Sequence, residues 1–294
     1  MDLSHLIVIL GPVVLVPLAW RGCFRRDALE AGPSRRVGLV PADLLIGLGL
    51  MILGPSMVVF ATSLIGSGQT KPPDPEKLST TTYAGQILLG QAAGQLVPVL
   101  YLLWRVSSPP LGLGGLRRFG AIPGKPLRDL AWGVLGFVVA VTLVMSTIQF
   151  AVILGGWFGQ QAPVLAHPML KALVDSDSTL GTAMLIASAV LVAPILEEAI
   201  FRGLIQSVMA EALGESRRWS IVLVASLVFA MIHANFTTWE NWQALPGLFV
   251  LGLVLGWLYE RSGSLWPGIV VHIGFNALNI AVALGSTLPA GATS

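Results

Sequence analysis

Residues 191–204 read LVAPILEEAIFRGL, two adjacent glutamates and an arginine inside a run apolar enough to cross a membrane. Each ionised group in such a run costs roughly 2.5–3.5 kcal/mol on insertion scales, so their presence asks for a physical reason. On a helix Glu198 and Arg202 lie four residues apart on one face and can form an ion pair. Glu197 is rotated by about 100° from Glu198 and has no partner three or four residues further on. The plain alternative is a buried polar cluster that only locks helices together. That alternative suits Glu198 and Arg202 better than Glu197, which is left available for chemistry.

Four histidines occur. His5 and His167 read as solvated residues near the amino terminus and in a connection. The other two are embedded. His233 ends FAMIH (229–233), with Phe229 one turn away on the same face, and His272 opens HIGFN (272–276), with Asn276 one turn on. Taken singly, each reads as well as a hydrogen-bonded helix contact. Depth allows them to meet Glu197. At 1.5 Å per residue, Glu197 and His233 both sit roughly 20–22 Å from one membrane face, and His272 and Asn276 roughly 12 and 18 Å. A desolvated carboxylate is a competent general base near neutrality, a histidine can share activation of water, and a His/Asn pair can donate to a developing oxyanion. The chemistry that combines these groups is water attack on a carbonyl, amide hydrolysis within the membrane.

The elements that must position these groups are membrane helices. The chain has 294 residues, 54% hydrophobic and 11% charged, with a mean hydropathy of +0.79. That charged fraction is about half that of a soluble domain. Spans are expected at about 3–20, 42–65, 84–104, 129–154, 179–210, 219–235, 244–260 and 264–285. The fold class is therefore all-α, a polytopic membrane protein of about eight transmembrane helices with the active site inside the bundle. The first run lacks a basic leader and a small-residue cleavage site, and so reads as a retained helix. Cys23 is the lone cysteine, which excludes an intramolecular disulfide and a cysteine-rich metal site. The net charge of +2 gives no sign of nucleic-acid binding; the expected partners are the lipid bilayer and a peptide, and the oligomeric state is not specified.

Basic residues alternate between connections. Arg21, Arg25, Arg26, Arg35 and Arg36 fill the first, Arg105, Arg117, Arg118, Lys125 and Arg128 the third, Arg217 and Arg218 the fifth and Arg261 the seventh. The second holds Lys71 and Lys77 offset by Asp74 and Glu76, and the fourth Lys171 with Asp175 and Asp177. The positive-inside rule then puts the odd connections in the cytoplasm and both termini outside. The Pro- and Gly-rich stretches SGQTKPPDPEK and SSPPLGLGGLRRFGAIPGKP read as turn-forming connections, without GxGxxG or GK[ST]. Asp43 and Asp129, at helix starts, read as capping residues. The chain divides into membrane helices without a motif (1–178), a core carrying the motifs (179–285) and a short tail (286–294).

EEAIFR (197–202), FAMIH and HIGFN fit EExxxR, FxxxH and HxxxN in order on three helices. Over roughly residues 190–285 the chain resembles the CPBP family, the type II CAAX prenyl proteases with bacteriocin-processing and related bacterial membrane proteins. The resemblance implies an eight-helix, glutamate-dependent intramembrane protease of a bacterial cytoplasmic membrane. It implies that Glu197 activates water with help from His233, that His272 and Asn276 stabilise the oxyanion, and that Glu198, Arg202 and Phe229 shape the site. The substrate would be a prenylated CAAX-like or other membrane-associated peptide. The family is often labelled metalloprotease, and Glu197, His233 and His272 offer a three-ligand Zn²⁺ set; there is no HExxH, and a glutamate-activated water needs no metal, so both remain open. A non-catalytic scaffold or immunity protein of the same fold is the alternative from another class. A proton-coupled transporter, which would need an inverted repeat and broken helices, is a weaker one.

Overall fold

The computed structural model describes residues 3–30, 32–33, 37–65, 79–160, 168–234 and 242–285. Among these residues the regular elements are helices and no strand occurs. They are α1 (Leu3–Trp20), α2 (Pro41–Ile65), α3 (Thr80–Ser107), α4 (Gly112–Phe119), α5 (Pro126–Trp157), α6 (Pro168–Val174), α7 (Thr179–Leu213), α8 (Arg218–Ala234), α9 (Ala244–Ser262) and α10 (Trp266–Gly285). Helix occupies each of the eight anticipated segments. Five of the helices, α3, α5, α7, α9 and α10, are long and apolar enough to cross a membrane, and the stretches His5–Trp20, Pro41–Met57 and Arg218–Ala234 are apolar but shorter. Five such helices, with no strand among the described residues, fit a multi-pass membrane protein.

Two elements differ from the sequence expectation. The stretch 107–126 is more than a turn, because it contains α4, which ends at Gly120 with φ of 84°. Phe119 closes that helix, is fully buried, and fills the space beside Gly203 of α7. Asp43 does more than cap α2. One oxygen accepts from the Val40 amide at 2.8 Å, and the other accepts from the Tyr101 hydroxyl at 2.6 Å and from Arg105 at 3.1 Å, which ties α2 to α3. Asp129 lies in the first turn of α5, where its charge suits the helix N-terminus, but neither carboxylate oxygen makes a hydrogen bond. The Lys/Asp/Glu-containing stretch 67–77 and the tail 286–294 lie outside the described residues.

The first, third, fifth and seventh connections, the basic ones, meet at one end of the bundle. Arg218 donates to the Leu29 and Pro33 carbonyls, Arg128 to the Ser262 carbonyl, and the Leu265 amide and Trp266 indole donate to Gly120 and Ala121. At the opposite end α3 and α7 start side by side, each capped by a serine, Ser79 and Ser178. Asp177 accepts from the Thr80 amide there at 2.9 Å.

Between helices in lipid there is no hydrophobic gain to drive association, so close approach must supply contact energy. The long helix α5 approaches its neighbours through glycine: Gly136 faces Leu258 of α9 and Val271 of α10, and Gly133 faces Val270. Gly252 and Gly256 do the same for α9. A Cβ on Gly252 would stand 3.0 Å from Ser226 of α8, and one on Gly256 3.1 Å from the Gln206 side chain of α7. Large apolar side chains cover the outside instead, among them Leu53, Leu135, Leu191 and Met231.

Candidate active site

Helix α7 is irregular where it carries the charges. The α-helical turn Ala193–Glu198 lies between two π-helical stretches, Ser188–Val192 and Ala199–Gln206. Pro194 contributes to the first, since it has no N–H to donate to the preceding turn. Carbonyls loosened by a wide turn need other donors, and the Asn276 side-chain amide, from α10, donates to the Ala189 carbonyl at 2.8 Å. The interruption around Pro194 thus extends over both sides of the charged turn.

Glu198 and Arg202 pair as their spacing demands. The guanidinium Nη1 stands 2.9 Å from Glu198 Oε1, both side chains being almost wholly buried. Arg202 Nη2 donates to the Gly252 carbonyl at 3.2 Å, a main-chain acceptor reachable because glycine lets α9 come close. The rings of Phe229 and Phe201 lie 5.0 and 5.9 Å from the guanidinium carbon, within cation–π range. His272 Nδ1 approaches the same Glu198 oxygen at 3.2 Å. Gly268 makes room for the other oxygen, Glu198 Oε2, which a Cβ there would meet at 2.6 Å.

Glu197 faces a different set of groups. Its Oε2 lies 3.7 Å from Nε2 of His233 and 3.7 Å from Nε2 of His272, so α7, α8 and α10 converge on one carboxylate oxygen. That oxygen is buried and has no hydrogen-bond partner. The tautomers follow from the other ring nitrogens. His233 Nδ1 is 2.7 Å from the Phe229 carbonyl, which can only accept, so Nδ1 carries the proton. His272 Nδ1 faces a carboxylate and likewise donates. In the neutral imidazoles both Nε2 atoms therefore present lone pairs toward Glu197. Phe229 stacks 4.4 Å from the His233 ring and 5.9 Å from His272, which fixes both orientations.

The structure thus brings together Glu197, Glu198, Arg202, Phe229, His233 and His272. Asn276 lies one turn along α10, engaged with α7. His5 is exposed and apart, and His167 lies outside the described residues. A second polar layer, not singled out from the sequence, sits one turn beyond Arg202. Gln206 donates to the Gly256 carbonyl at 3.1 Å and to Glu260 at 2.6 Å, and Glu260 pairs with Arg218 at 3.5 Å. The signal that could have found it is spacing: Gln206 follows Arg202 by four residues, as Gly256 follows Gly252.

The residues can be tested against a zinc ion. Donors at 2.0–2.2 Å in a tetrahedral site stand about 3.3–3.6 Å apart, and each imidazole Nε2 is 3.7 Å from Glu197. Among the described residues no group of three His, Cys, Asp or Glu is arranged to hold a metal ion. The donor set is of the right kind for zinc.

Three motifs on three helices, converging on one carboxylate, invite comparison with known proteins. Residues 179–278 match the family described as type II CAAX prenyl endopeptidase Rce1-like. Over this stretch, less than half of the chain, the sequence is similar to that family. Among curated proteins, the chain is 26% identical over 122 residues to an uncharacterized 24.3 kDa protein of Escherichia coli, covering 42% of this chain and 54% of that protein. It is 24% identical to a Bacillus subtilis protein named "Putative membrane peptidase YdiL", over 64% of this chain and 68% of the relative. A third relative, the UPF0177 protein YbdI of Lactococcus lactis, is 25% identical over 52% of this chain and 75% of its own length. No solved structure matches. The Rce1-like region contains every residue of the cluster, from Glu197 to Asn276.

Proposed function

We propose that the protein is an intramembrane endopeptidase in which Glu197 activates the attacking water. The Rce1-like region and a membrane-peptidase relative support a membrane protease. The observation that carries the mechanism is that Glu197 and Glu198 are adjacent yet differently served: Arg202 neutralises Glu198, while Glu197 Oε2 faces two imidazole Nε2 atoms at 3.7 Å.

Water hydrogen-bonded to Glu197 and one of these imidazoles gives a proton to that base as its oxygen attacks the scissile carbonyl carbon. The tetrahedral oxyanion needs N–H donors; the proton taken from the water can pass from Glu197 to an adjacent imidazole Nε2, which then donates, and the Asn276 amide is the second candidate. Collapse breaks the C–N bond and passes that proton to the departing amine, leaving a carboxylic acid and an amine, which exchange a proton to become carboxylate and ammonium. No step passes through a metal. The substrate class is a membrane-associated peptide, a prenylated CAAX-like tail being the first to try. Eight spans, with the basic connections cytoplasmic and both termini outside, complete the proposal.

The test is cleavage of a quenched prenyl-CAAX peptide and a panel of membrane peptides by purified protein, wild type against Glu197→Gln and Glu198→Gln, with and without chelator. Loss of activity in Glu197→Gln with indifference to chelator supports the glutamate–water reaction. Chelator-sensitive activity restored by Zn²⁺ would sink the metal-free route. A wild type that cleaves nothing while binding a protein partner would favour a scaffold.

A further inference from the structure

At the end where the basic connections meet, a cavity of about 540 Å³ opens, lined by Gly32, Pro33, Arg128, Trp132, Arg261 and Ser262. It is separate from the Glu197 cluster and is built symmetrically by two facing helices. Helix α5 starts at this end and offers Arg128, with Trp132 one turn deeper. Helix α9 finishes here and offers Arg261, with Trp257 one turn deeper. The two indoles pack against each other, centroids 5.8 Å apart, so two guanidinium groups stand above an aromatic pair. The Trp257 indole donates to the Cys23 carbonyl, which fixes the end of α1 against the same floor.

The two cations of this corner are differently served: Arg128 has a loose ion pair with Asp129, and Arg261 has none among the described residues. Glu260 turns its carboxylate to Gln206 and Arg218. Asp129 is buried and stands 3.8 Å from Arg128, beyond hydrogen-bond distance, while Arg128 gives one hydrogen bond to the Ser262 carbonyl at 3.3 Å. Arg261 has no ion pair or hydrogen bond among the described residues. Arginine side chains brought to one cavity with donors to spare suit a phosphate group, which accepts from several N–H at once. The surroundings decide the source of that phosphate. Along the outward face of α5, Leu127 is 83% exposed, Leu130 50% and Val134 52%, and Trp20 at the end of α1 is 89% exposed. An apolar wall running away from a cationic mouth at the membrane interface fits an amphiphile, and the volume lies within the range of small-molecule sites.

We propose that this cavity binds the anionic headgroup of a phospholipid, with Arg128 and Arg261 on the phosphate and the acyl chains lying along α5. The test uses the purified full chain in an uncharged detergent. Its unfolding temperature is followed against phosphatidylglycerol, phosphatidylcholine and soluble glycerol phosphate, for wild type, Arg261→Gln, Arg261→Lys and Arg128→Gln/Arg261→Gln. Phosphatidylglycerol is expected to raise the wild-type unfolding temperature where phosphatidylcholine and glycerol phosphate do not. The apparent affinity should fall about fivefold per arginine removed, and Arg261→Lys should keep most of it. Because Arg261 holds no partner, Arg261→Gln should fold with an unchanged unliganded transition, which separates lost binding from lost structure. An equal response to phosphatidylcholine, or an unaltered response in the double variant, overturns the proposal. So does glycerol phosphate reproducing the effect, which would make this a free-phosphate site. An Arg261-dependent response to a peptide carboxylate without one to phosphatidylglycerol would give the cavity to substrate.

Discussion

Helix α7 carries two buried polar layers one turn apart, and they are built to different ends. In the layer of Gln206, Glu260 and Arg218, each carboxylate oxygen of Glu260 meets a donor and Arg218 is further satisfied by two main-chain carbonyls, while the Gln206 amide oxygen alone is buried without a donor. In the layer of Glu197, Glu198 and Arg202, a carboxylate oxygen of each glutamate is left buried without a donor. A buried acceptor without a partner costs about 1–3 kcal/mol. In one layer both charges of the ion pair are met and only an amide oxygen is left over; in the other a carboxylate oxygen without a donor faces two imidazole nitrogens, where water and a peptide carbonyl would be handled. A buried carboxylate is a candidate for chemistry when it is left without a donor and other titratable groups converge on it.

The largest expected effect separates the layers by activity. Glu197→Gln should lower kcat by about 100- to 10,000-fold, the range of a lost general base, with little change in unfolding temperature, since no hydrogen bond to Glu197 Oε2 is lost. Measuring both on one preparation checks it; a large loss of stability with Glu197→Gln would turn Glu197 into a lock like Glu260. Next comes Arg202→Met. Removing one partner of a buried pair costs about 3–5 kcal/mol, because Glu198 would keep its charge with only His272 beside it. Denaturation in mixed micelles should register this, and a stability within about 1 kcal/mol of wild type would show that the pair is not what holds the layer.

Glu260→Gln should give an intermediate result and sharpen the contrast. It weakens a charge-assisted hydrogen bond from Gln206 and the pairing with Arg218, at a cost of about 1–3 kcal/mol. Specific activity of the folded fraction should be unchanged. A selective fall in kcat would mean that the two layers act as one site.

Much of this was legible in the residues because the helix periodicity is local. Glu198 and Arg202 had to share a face, and the depths of His233 and His272 followed from rise per residue. What was not legible depends on the backbone leaving that regular path. The π-helical stretches around Glu197 shift side chains on α7 by amounts no fixed angle predicts, and Asn276 turns to a carbonyl that such a stretch exposes. Gln206 and Glu260 are polar residues in apolar runs, but their meeting depends on how closely Gly256 lets α9 approach. Helix α4 was hidden by the glycines and prolines of the stretch 107–126 around a short amphipathic segment, and the burial of Phe119 beneath Gly203 explains it.

The smallest effect lies farthest from both layers, at the end where α3 and α7 begin. Asp177 accepts from the Thr80 amide, and the hydrogen bond with the Thr80 hydroxyl is the main cause of a carboxyl held below the ordinary aspartate value of 3.8. A depressed native pKa means that the unfolded chain takes up a proton first as the pH falls. The stabilisation from Asp177 is therefore fully present above the unfolded value and is lost as the pH drops through the lower native one. Asp177→Asn should accordingly lower the unfolding temperature slightly at pH 7 and converge with wild type in acid. Unfolding scans of the two proteins across that interval test it. Parallel curves with a constant offset would mean that the Asp177 carboxylate contributes through shape alone. The charge is fully exposed, so its contribution is also expected to shrink with salt, unlike that of Arg202, whose partner is buried with it.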